Sequence, residues 1–156
     1  MNNQELLNNI KTKFPQVEEF IPKEGGFKDE VLALTAPKEI IAQLCRELKE
    51  SGVLLFDHLM CLSGVDYKDR LEVVYHLYSY ELKHKVTLKV NVDRNNPEID
   101  TVVPVWETAN WHEREAYDMF GINFKGHPDL RRILLPQEWE GYPLRKDYAR
   151  KSDQYD

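Results

Sequence analysis

A chain of 156 residues with 42% hydrophobic and 31% charged residues has the length and composition of one globular domain. Its formal net charge of −6 argues against a nucleic-acid-binding protein, which needs a basic face. No apolar run comes near the roughly 18 residues of a transmembrane helix. The N-terminal segment lacks the apolar core of a signal peptide and the Arg-rich pattern of a transit peptide. It therefore predicts a location in the cytoplasm, or on the cytoplasmic face of a larger assembly.

The first third of the chain is predicted to form two helices separated by a short strand. Apolar residues at helical spacing predict a helix over residues 3–14. A run rich in Val, Leu and Ala predicts a strand over residues 30–35. A second helix is predicted over residues 37–51, because Pro37 suits a first helical turn and the apolar residues that follow form one stripe. We expect that stripe to face an internal core.

The middle of the chain is predicted to be a β region. Residues 54–66 are apolar with little alternation, which predicts a strand buried on both faces, although a helix gives a similar pattern. Residues 71–80 are rich in Val and Tyr, and residues 86–92 alternate apolar and polar side chains, so both are predicted strands. Residues 101–105 are predicted to add a short edge strand, because Pro104 is unsuited to a central one. Turns are predicted at residues 67–70, 83–85 and 93–97.

A third helix is predicted over residues 108–120, with Gly121 as its left-handed end. Asn110 and Glu113 have the spacing of a capping box at the start of this helix. Together the elements predict an α+β fold of two layers. Its mostly antiparallel sheet is centred on the hairpin at residues 70–92, and the helices pack on that sheet.

The chain after residue 124 has the composition of an irregular strap. Its prolines and glycines exclude a long helix. Roughly 30 residues without regular structure are rare in a compact domain unless they lie on a surface. The apolar and aromatic side chains of this segment would form an exposed patch, and its arginines suit carboxylates. We therefore predict a compact domain over residues 1–124 and an extended strap over residues 125–156 that contacts partner proteins.

The two cysteines, Cys45 and Cys61, lie in a predicted helix and a predicted strand. A disulfide between them is disfavoured in a reducing compartment, so both are interpreted as small buried hydrophobic residues. Iron–sulfur clusters usually need four cysteines, or two cysteines and two histidines, at close spacing. The sequence offers no such set, so any electron transfer linked to this protein is expected to pass through other chains.

Glu113, Glu115 and Asp118 are candidate catalytic carboxylates, since paired carboxylates perform acid–base chemistry. Glu113 and Glu115 are two residues apart on a helix, however, and so face different directions. Asp118 follows Arg114 by four residues, and the two are predicted to form an ion pair. A structural ion-pair network is therefore the favoured interpretation.

Metal and nucleotide sites are not favoured. His112 and Glu115 share a helix face and His127 follows, but no second pair of ligands accompanies them. A structural hydrogen-bonding role is expected for His127. The sequence contains no Gly-rich phosphate loop and suggests no Ser-His-Asp or Cys-His arrangement.

Two ordered blocks of residues in the last third of the chain resemble the signature of a known family. The first block is Glu113-Arg114-Glu115, then Asp118-Met119-Phe120, His127, Arg131 and Ile133-Leu134. The second block is Trp139-Glu140-Gly141, then Pro143-Leu144-Arg145-Lys146-Asp147-Tyr148. Ordered matches over about 40 residues are far more specific than one short motif. The chain is similar to the 30-kDa subunit of respiratory complex I, which is the C subunit of the bacterial NADH:quinone oxidoreductase.

The resemblance implies a non-catalytic subunit in the peripheral arm of a proton-translocating NADH:quinone oxidoreductase. It implies no cofactor in this chain, since the iron–sulfur clusters, FMN and quinone are expected in partner subunits. The expected partners are the 49-kDa subunit, known as the D subunit, and the small cluster-bearing B subunit. Nucleic acid is not an expected partner. The chain is expected to lie peripherally on the cytoplasmic face of the cell membrane, which it contacts only through the assembled complex.

The resemblance also suggests roles for individual residues. The residues expected to fix the junction between the last helix and the strap are Glu113, Arg114, Glu115, Asp118 and His127. The residues expected at a partner interface are Arg131, Arg132, Trp139, Arg145, Lys146, Asp147 and Tyr148.

Several functional alternatives are compatible with the sequence. Related complexes use the same type of subunit, namely the plastoquinone-reducing photosynthetic complex, the F420H2 dehydrogenase and the energy-converting hydrogenases. The sequence does not identify the electron donor or the quinone. A stand-alone carboxylate enzyme would show activity as an isolated chain, whereas a free-standing adaptor would form a stable complex away from the membrane.

Overall fold

The computed structural model describes residues 1–24, 26 and 30–149. The helices are α1 (Asn3–Lys13), α2 (Ile41–Glu50) and α3 (Ala109–Phe120), with a 3-10 turn at Lys38–Ile40 before α2. The strands are β1 (Glu18–Glu19), β2 (Leu32–Thr35), β3 (His58–Asp66), β4 (Leu71–Ser79), β5 (His84–Val92), β6 (Glu98–Asp100) and β7 (Asn123–Lys125).

The first five strands form one mixed sheet in the order β1-β2-β5-β4-β3. β2 runs parallel to β5, and the other neighbouring pairs in this sheet are antiparallel. β6 and β7 pair in parallel as a separate ribbon. The helices bury their apolar residues in one core with the large sheet, so the predicted α+β fold with a mostly antiparallel sheet is confirmed.

β4 separates two environments, because side chains alternate between the two faces of a strand. The residues that face the core are Leu71, Val73, Tyr75 and Leu77, all fully buried. The residues between them, Glu72, Val74 and His76, lie on the opposite side of the sheet, which we call the outer face. In β5, Thr87 and Lys89 are the register partners of His76 and Val74 and lie on the same face.

The prediction of a doubly buried strand over residues 54–66 is wrong in extent and in burial. β3 begins only at His58, lies at the edge of the sheet, and is fully buried only at Leu59, Leu62 and Asp66. Residues 54–57 are irregular, and within them Leu54 and Phe56 are buried in the core. Residues 54–66 form a continuous apolar run because a buried loop, residues 54–57, is followed directly by β3, which is covered on one face.

Four shorter segments also differ from the predictions. Residues 101–105 form a turn rather than an edge strand. β6 and β7 were not predicted, because three residues are too few for a period of two to show. The turn between β4 and β5 lies at residues 80–83, so the predicted turn at residues 83–85 is displaced, and His84 is a buried residue of β5.

The capping box predicted at the start of α3 is wrong. The N-cap is Thr108, without a side-chain hydrogen bond, and Asn110 lies inside the helix. The Glu113 carboxylate instead accepts hydrogen bonds from the hydroxyl of Thr101 and the N–H of Val102. A carboxylate that binds another segment of the chain is not available to cap its own helix.

α3 packs on β3 at a position that has no side chain. A Cβ atom at Gly64 would lie 2.6 Å from Cδ2 of Phe120, and two further atoms of the same ring would lie within 3.1 Å. The Phe120 ring thus occupies the space above the glycine. The close approach of α3 to the edge strand depends on this position.

We expect Gly64→Ala to lower the free energy of unfolding by about 1–3 kcal/mol, because the added methyl group displaces the Phe120 ring or shifts β3. Urea unfolding followed by circular dichroism would measure the change. Gly52→Ala is the matched control, since a Cβ at Gly52 meets no atom within 4 Å. A loss at Gly64 no larger than the loss at Gly52 would contradict the packing argument.

Residues 126–149, which we call the strap, contain no helix and no strand. The irregular segment predicted over residues 125–156 thus begins one residue later than expected, and residues 150–156 lie outside the described residues. Its contact with partner proteins stays a prediction. Among the described residues, none of the helices is long and apolar enough to cross a membrane.

Candidate functional site

Asp118, near the end of α3, is the main attachment point of the strap. Its side chain is 0% exposed. Oδ1 accepts a hydrogen bond of 2.8 Å from Nη1 of Arg132, within an ion pair. Oδ2 accepts hydrogen bonds from the backbone N–H groups of residues 133–135, at 3.2, 2.7 and 3.1 Å. Burial alone would raise the pKa of Asp118, but these hydrogen bonds outweigh burial and hold the pKa below its usual range.

Arg132 joins the helix to two further points of the strap. Its Nη1 also donates to the backbone carbonyl of Asp118 at 3.1 Å. Its Nη2 donates to the carbonyls of Trp139 and Gly141, both at 2.9 Å. The planar guanidinium has five donors in a fixed fork, so one buried side chain reaches all three carbonyls and the carboxylate. The strap between residues 132 and 141 is thereby closed into a loop on the helix.

The far end of the strap is attached at Asp66, the last residue of β3. Oδ2 accepts a hydrogen bond from the N–H of Lys146 at 2.8 Å, and Oδ1 accepts one from the N–H of Lys68 at 2.7 Å. Arg94 forms ion pairs with Asp66 and with Asp147, the latter at 3.1 Å. The hydrogen bond from Arg94 is the main reason why the pKa of Asp66 lies well below its usual range, while burial opposes it.

Tyr142 packs over the end of α3 between these two attachment points. Gly121 ends the helix with a φ of 73°, as predicted, and a Cβ there would lie 2.6 Å from the Tyr142 ring. The guanidinium groups of Arg132 and Arg145 lie 5.1 and 5.5 Å from the centre of that ring. Nε of Arg145 donates to the carbonyl of Phe120 at 2.6 Å. The left-handed glycine thus permits the aromatic ring to lie directly on the helix end.

Glu113 is a second carboxylate with 0% exposure. Oε1 accepts a hydrogen bond of 2.8 Å from the N–H of Val102, and Oε2 accepts one from the hydroxyl of Thr101. Nε2 of His127 lies 3.9 Å from Oε2. Burial raises the pKa of Glu113 to about 7, although the two hydrogen bonds act in the opposite direction. The carboxyl group therefore changes its charge near neutral pH.

His127 fixes the beginning of the strap. Its Nε2 lies 3.1 Å from the carbonyl of Asn110, and its Nδ1 accepts a hydrogen bond of 2.9 Å from the N–H of Asp129. This pattern assigns the neutral ring with its proton on Nε2, because a protonated ring has no acceptor nitrogen. His127 thus makes structural hydrogen bonds, as the sequence analysis expected.

The predicted ion pair between Arg114 and Asp118 is wrong, because Asp118 is directed toward Arg132. Nε of Arg114 donates to the carbonyl of Arg131 at 3.1 Å, and its Nη2 donates to the carbonyl of Arg132 at 3.4 Å. Its guanidinium also lies 4.8 Å from the ring centre of Trp111. Arg114 therefore holds the strap through backbone carbonyls rather than through a carboxylate.

The other residues singled out from the sequence lie nearer the surface. Glu115 is exposed and does not join the junction. Arg131 is exposed and pairs with Asp129 at 2.9 Å. Tyr148 packs on Gly141, where a Cβ would lie 2.9 Å from its ring. The partner-interface role stays a prediction for Arg131, Arg132, Trp139, Arg145, Lys146, Asp147 and Tyr148.

Three residues that hold the strap were missed in the sequence: Asp66, Arg94 and Tyr142. Asp66 had a usable signal, because a carboxylate that directly ends an apolar run needs a partner in the fold. Arg94 had none, since it lies in a polar loop where a basic residue is ordinary. Tyr142 was counted only as one of many apolar side chains of the strap.

The outward side of α3 and the strap exposes large apolar side chains. Trp111 is 63% exposed, Leu134 is 60% exposed and Leu144 is 55% exposed. We call these three residues and the exposed Arg131 the strap surface. Leu130 and Leu135 of the same strap instead pack against the core. Large apolar side chains left exposed mark sites that bind another protein where they form a patch.

No group of three His, Cys, Asp or Glu side chains is arranged to hold a metal ion in the part of the chain that the structure describes. The fold and the site together define a class of protein: an α+β domain whose buried carboxylates attach an irregular strap that leaves large apolar side chains exposed. The family described as the respiratory-chain NADH dehydrogenase 30 Kd subunit matches residues 34–154. The chain belongs to this family.

Relatives and a solved structure agree with this assignment. The chain is 57% identical over 103 residues to the C subunit of the NADH-quinone oxidoreductase of Chloroherpeton thalassium, a match that covers 65% of this chain and 43% of that protein. It is 40% identical over 152 residues to the C subunit of the F(420)H(2) dehydrogenase of Methanosarcina mazei, covering 95% of this chain and 92% of the relative. A chain of the membrane-bound sulfane sulfur reductase, an archaeal respiratory membrane complex, superposes with a TM-score of 0.77 at 26% identity, covering 94% of this chain and 85% of that one.

Proposed function

We propose that this chain is a non-catalytic subunit in the peripheral arm of a proton-translocating NADH:quinone oxidoreductase. It braces the subunits that bind the iron–sulfur clusters and the quinone, which we identify as the 49-kDa D subunit and the small B subunit. It lies on the cytoplasmic face of the cell membrane and is held there through its partners. Membership of the 30 Kd family and the name of the Chloroherpeton relative support this proposal.

One observation supports the bracing role above the others: the strap is attached to α3 and β3 through polar groups and leaves large apolar side chains exposed. Asp118 and Asp66 bind its backbone, whereas Leu134 and Leu144 remain largely exposed. Burial of apolar surface is the main favourable term in protein association. Covering the strap surface with a partner would therefore stabilise the resulting complex.

The buried carboxylates support a structural rather than a catalytic role. Asp118 and Glu113 are both 0% exposed, and their oxygens accept hydrogen bonds from Arg132, Thr101 and backbone N–H groups. A general acid or base must reach its substrate within hydrogen-bonding distance. On this proposal the clusters, FMN and quinone are bound by the partner subunits, and this chain positions those subunits.

We expect Leu134→Asp to reduce the recovery of partner subunits by at least about tenfold, because it places a charge where an apolar side chain is buried on assembly. The tagged chain would be purified from detergent-solubilised native membranes, and its partners would be quantified by mass spectrometry. Val53→Asp is the matched control, since Val53 is also exposed but follows α2. Both variants should unfold like the unmodified chain, within about 0.5 kcal/mol.

Two results would contradict the proposal in different ways. Equal recovery of partners with Leu134→Asp and Val53→Asp would remove the strap surface from the interface. Recovery of the unmodified chain alone, as a stable monomer, would exclude the subunit role itself. Catalytic activity would then be tested with Glu113 and Asp118 as the candidates.

A second candidate is the corresponding subunit of an F420H2 dehydrogenase. The match to the Methanosarcina relative extends over nearly the full length of both chains. The same purification distinguishes the two candidates. Co-purification of an NADH-oxidising module supports the first, and co-purification of an F420H2-oxidising protein supports the second.

A further inference from the structure

The outer face of the sheet carries a groove of about 470 Å³. Phe20 and Ile21 line one side of it and Val65 and Val74 another, and polar residues, among them Lys89, complete the lining. Ile21 is 75% exposed, the largest exposed fraction among the large apolar residues described. The groove is thus an accessible depression with an apolar rim.

The carboxylate of Glu72 lines this groove although Glu72 is only 4% exposed. Its one hydrogen bond comes from the hydroxyl of Tyr67, at a long 3.5 Å. No ion pair among the described residues includes it. A nearly buried carboxylate normally has a basic partner, because an unpaired buried charge is costly. Glu72 lacks such a partner within the described chain.

The two nearest basic side chains interact with other groups. Nζ of Lys89 lies 3.9 Å from the ring centre of Phe20. The guanidinium of Arg70 pairs with Asp69 and lies 4.6 Å from the ring centre of Tyr67. Burial raises the pKa of Glu72, although the charges of Lys89 and Arg70 act in the opposite direction. Among the described residues, therefore, none offsets the cost of charging this carboxylate.

We propose that the groove receives an arginine or lysine side chain of a partner subunit, which forms an ion pair with Glu72. The proposal rests on the subunit role proposed above. The carboxylate of Glu72 favours a basic side chain in the groove. The rim residues Ile21 and Tyr67 favour a protein segment whose neighbouring side chains are apolar. An ion pair in a groove closed to water is stronger than one on an open surface.

The isosteric variant Glu72→Gln separates this role from a role in folding. It keeps the shape of the side chain and removes the charge that opposes folding, so the melting temperature of the isolated variant should rise at pH 7–8. Recovery of partner subunits from solubilised native membranes should nevertheless fall by at least about tenfold, as expected when one member of a buried ion pair is removed. Glu81→Gln, an exposed carboxylate in the turn after β4, is the control and should change neither quantity.

The possible outcomes have separate meanings. A raised melting temperature with full partner recovery would overturn the proposal, because Glu72 would then be a buried acid without a partner. A lowered melting temperature would also overturn it, because Glu72 would then be satisfied within its own chain. If the unmodified chain recovers no partner subunits, the proposed subunit function itself is contradicted. Failure of that function and failure of the Glu72 proposal are therefore distinguishable.

A photo-crosslinking amino acid at the exposed position 21 would identify the occupant directly. We expect a cross-link to one segment of another protein of the same complex, with an Arg or Lys within about five residues of the cross-linked position. A cross-link to a segment without a basic residue, or only to this chain, would overturn the proposal. In the Glu72→Gln background the cross-link should be lost.

Discussion

Asp118→Ala is expected to lower the free energy of unfolding by about 3–5 kcal/mol and to release the strap from α3. The substitution leaves the Arg132 guanidinium, which is only 8% exposed, without its carboxylate. It also leaves the N–H groups of residues 133–135 without their acceptor. The first effect acts on a buried charge and the second on partly buried N–H groups, so solvent replaces the lost bonds only in part. Urea unfolding would give the stability, and limited trypsin digestion at Arg131 and Lys146 would report the release.

Asp129→Ala is the matched control, because Asp129 lies in the same strap and pairs with an arginine on the exposed surface. Its expected effect is within about 0.5 kcal/mol. The double variant Asp118→Ala/Arg132→Ala should lose less than the sum of the two single losses, since the two side chains share one interaction. Equal stability of the Asp118 and Asp129 variants would contradict the assignment of Asp118 as the attachment point.

Glu113 should make the stability of the protein fall by about 3 kcal/mol between pH 4.5 and about 7. The ordinary pKa of 4.5 describes the unfolded chain, and burial raises the folded value to about 7. Between these values the folded chain binds more protons than the unfolded chain. The stabilisation is therefore complete below pH 4.5 and is lost as the pH rises through 7.

The difference in unfolding free energy between the unmodified chain and Glu113→Gln isolates this effect from all other titrations. The unfolding free energy of Glu113→Gln, relative to that of the unmodified chain, should rise by about 3 kcal/mol as the pH rises from 4.5 to 8. Glu115→Gln, two residues further along α3 and exposed, should give a flat difference. A flat curve for Glu113→Gln as well would show that Glu113 keeps an ordinary pKa in the folded protein.

The regular elements were predictable where their pattern extends over several residues. α1, α2 and β5 follow the periodicity of their apolar residues, because one face of each lies in the core, and β4 was predictable from its Val and Tyr content. The three-residue strands β6 and β7 carry no such pattern. The apolar run before β3 was misinterpreted because burial in a loop and burial in a strand select the same side chains.

Several residues of the candidate site were predictable from the sequence, but the groups to which they bind were not. Glu113, Asp118 and His127 were all named from the sequence, and the structure places all three at the junction. The partners were wrong because rules for neighbouring helix positions consider only local contacts. The actual partner of Asp118 is Arg132, and Glu113 binds the turn at residues 101–102, so both depend on the tertiary fold.

The attachment of the strap also has a consequence that we expect for the order in which the protein folds. The hydrogen bond between Lys146 and Asp66 joins residues 80 positions apart, and the ion pair between Arg132 and Asp118 joins residues 14 apart. Contacts of long sequence separation form late, because closing a long loop costs chain entropy before any contact compensates for it. The strap also leaves the ribosome after every strand of the large sheet. A growing chain can thus complete its large sheet before the strap is available to bind Asp118 and Asp66.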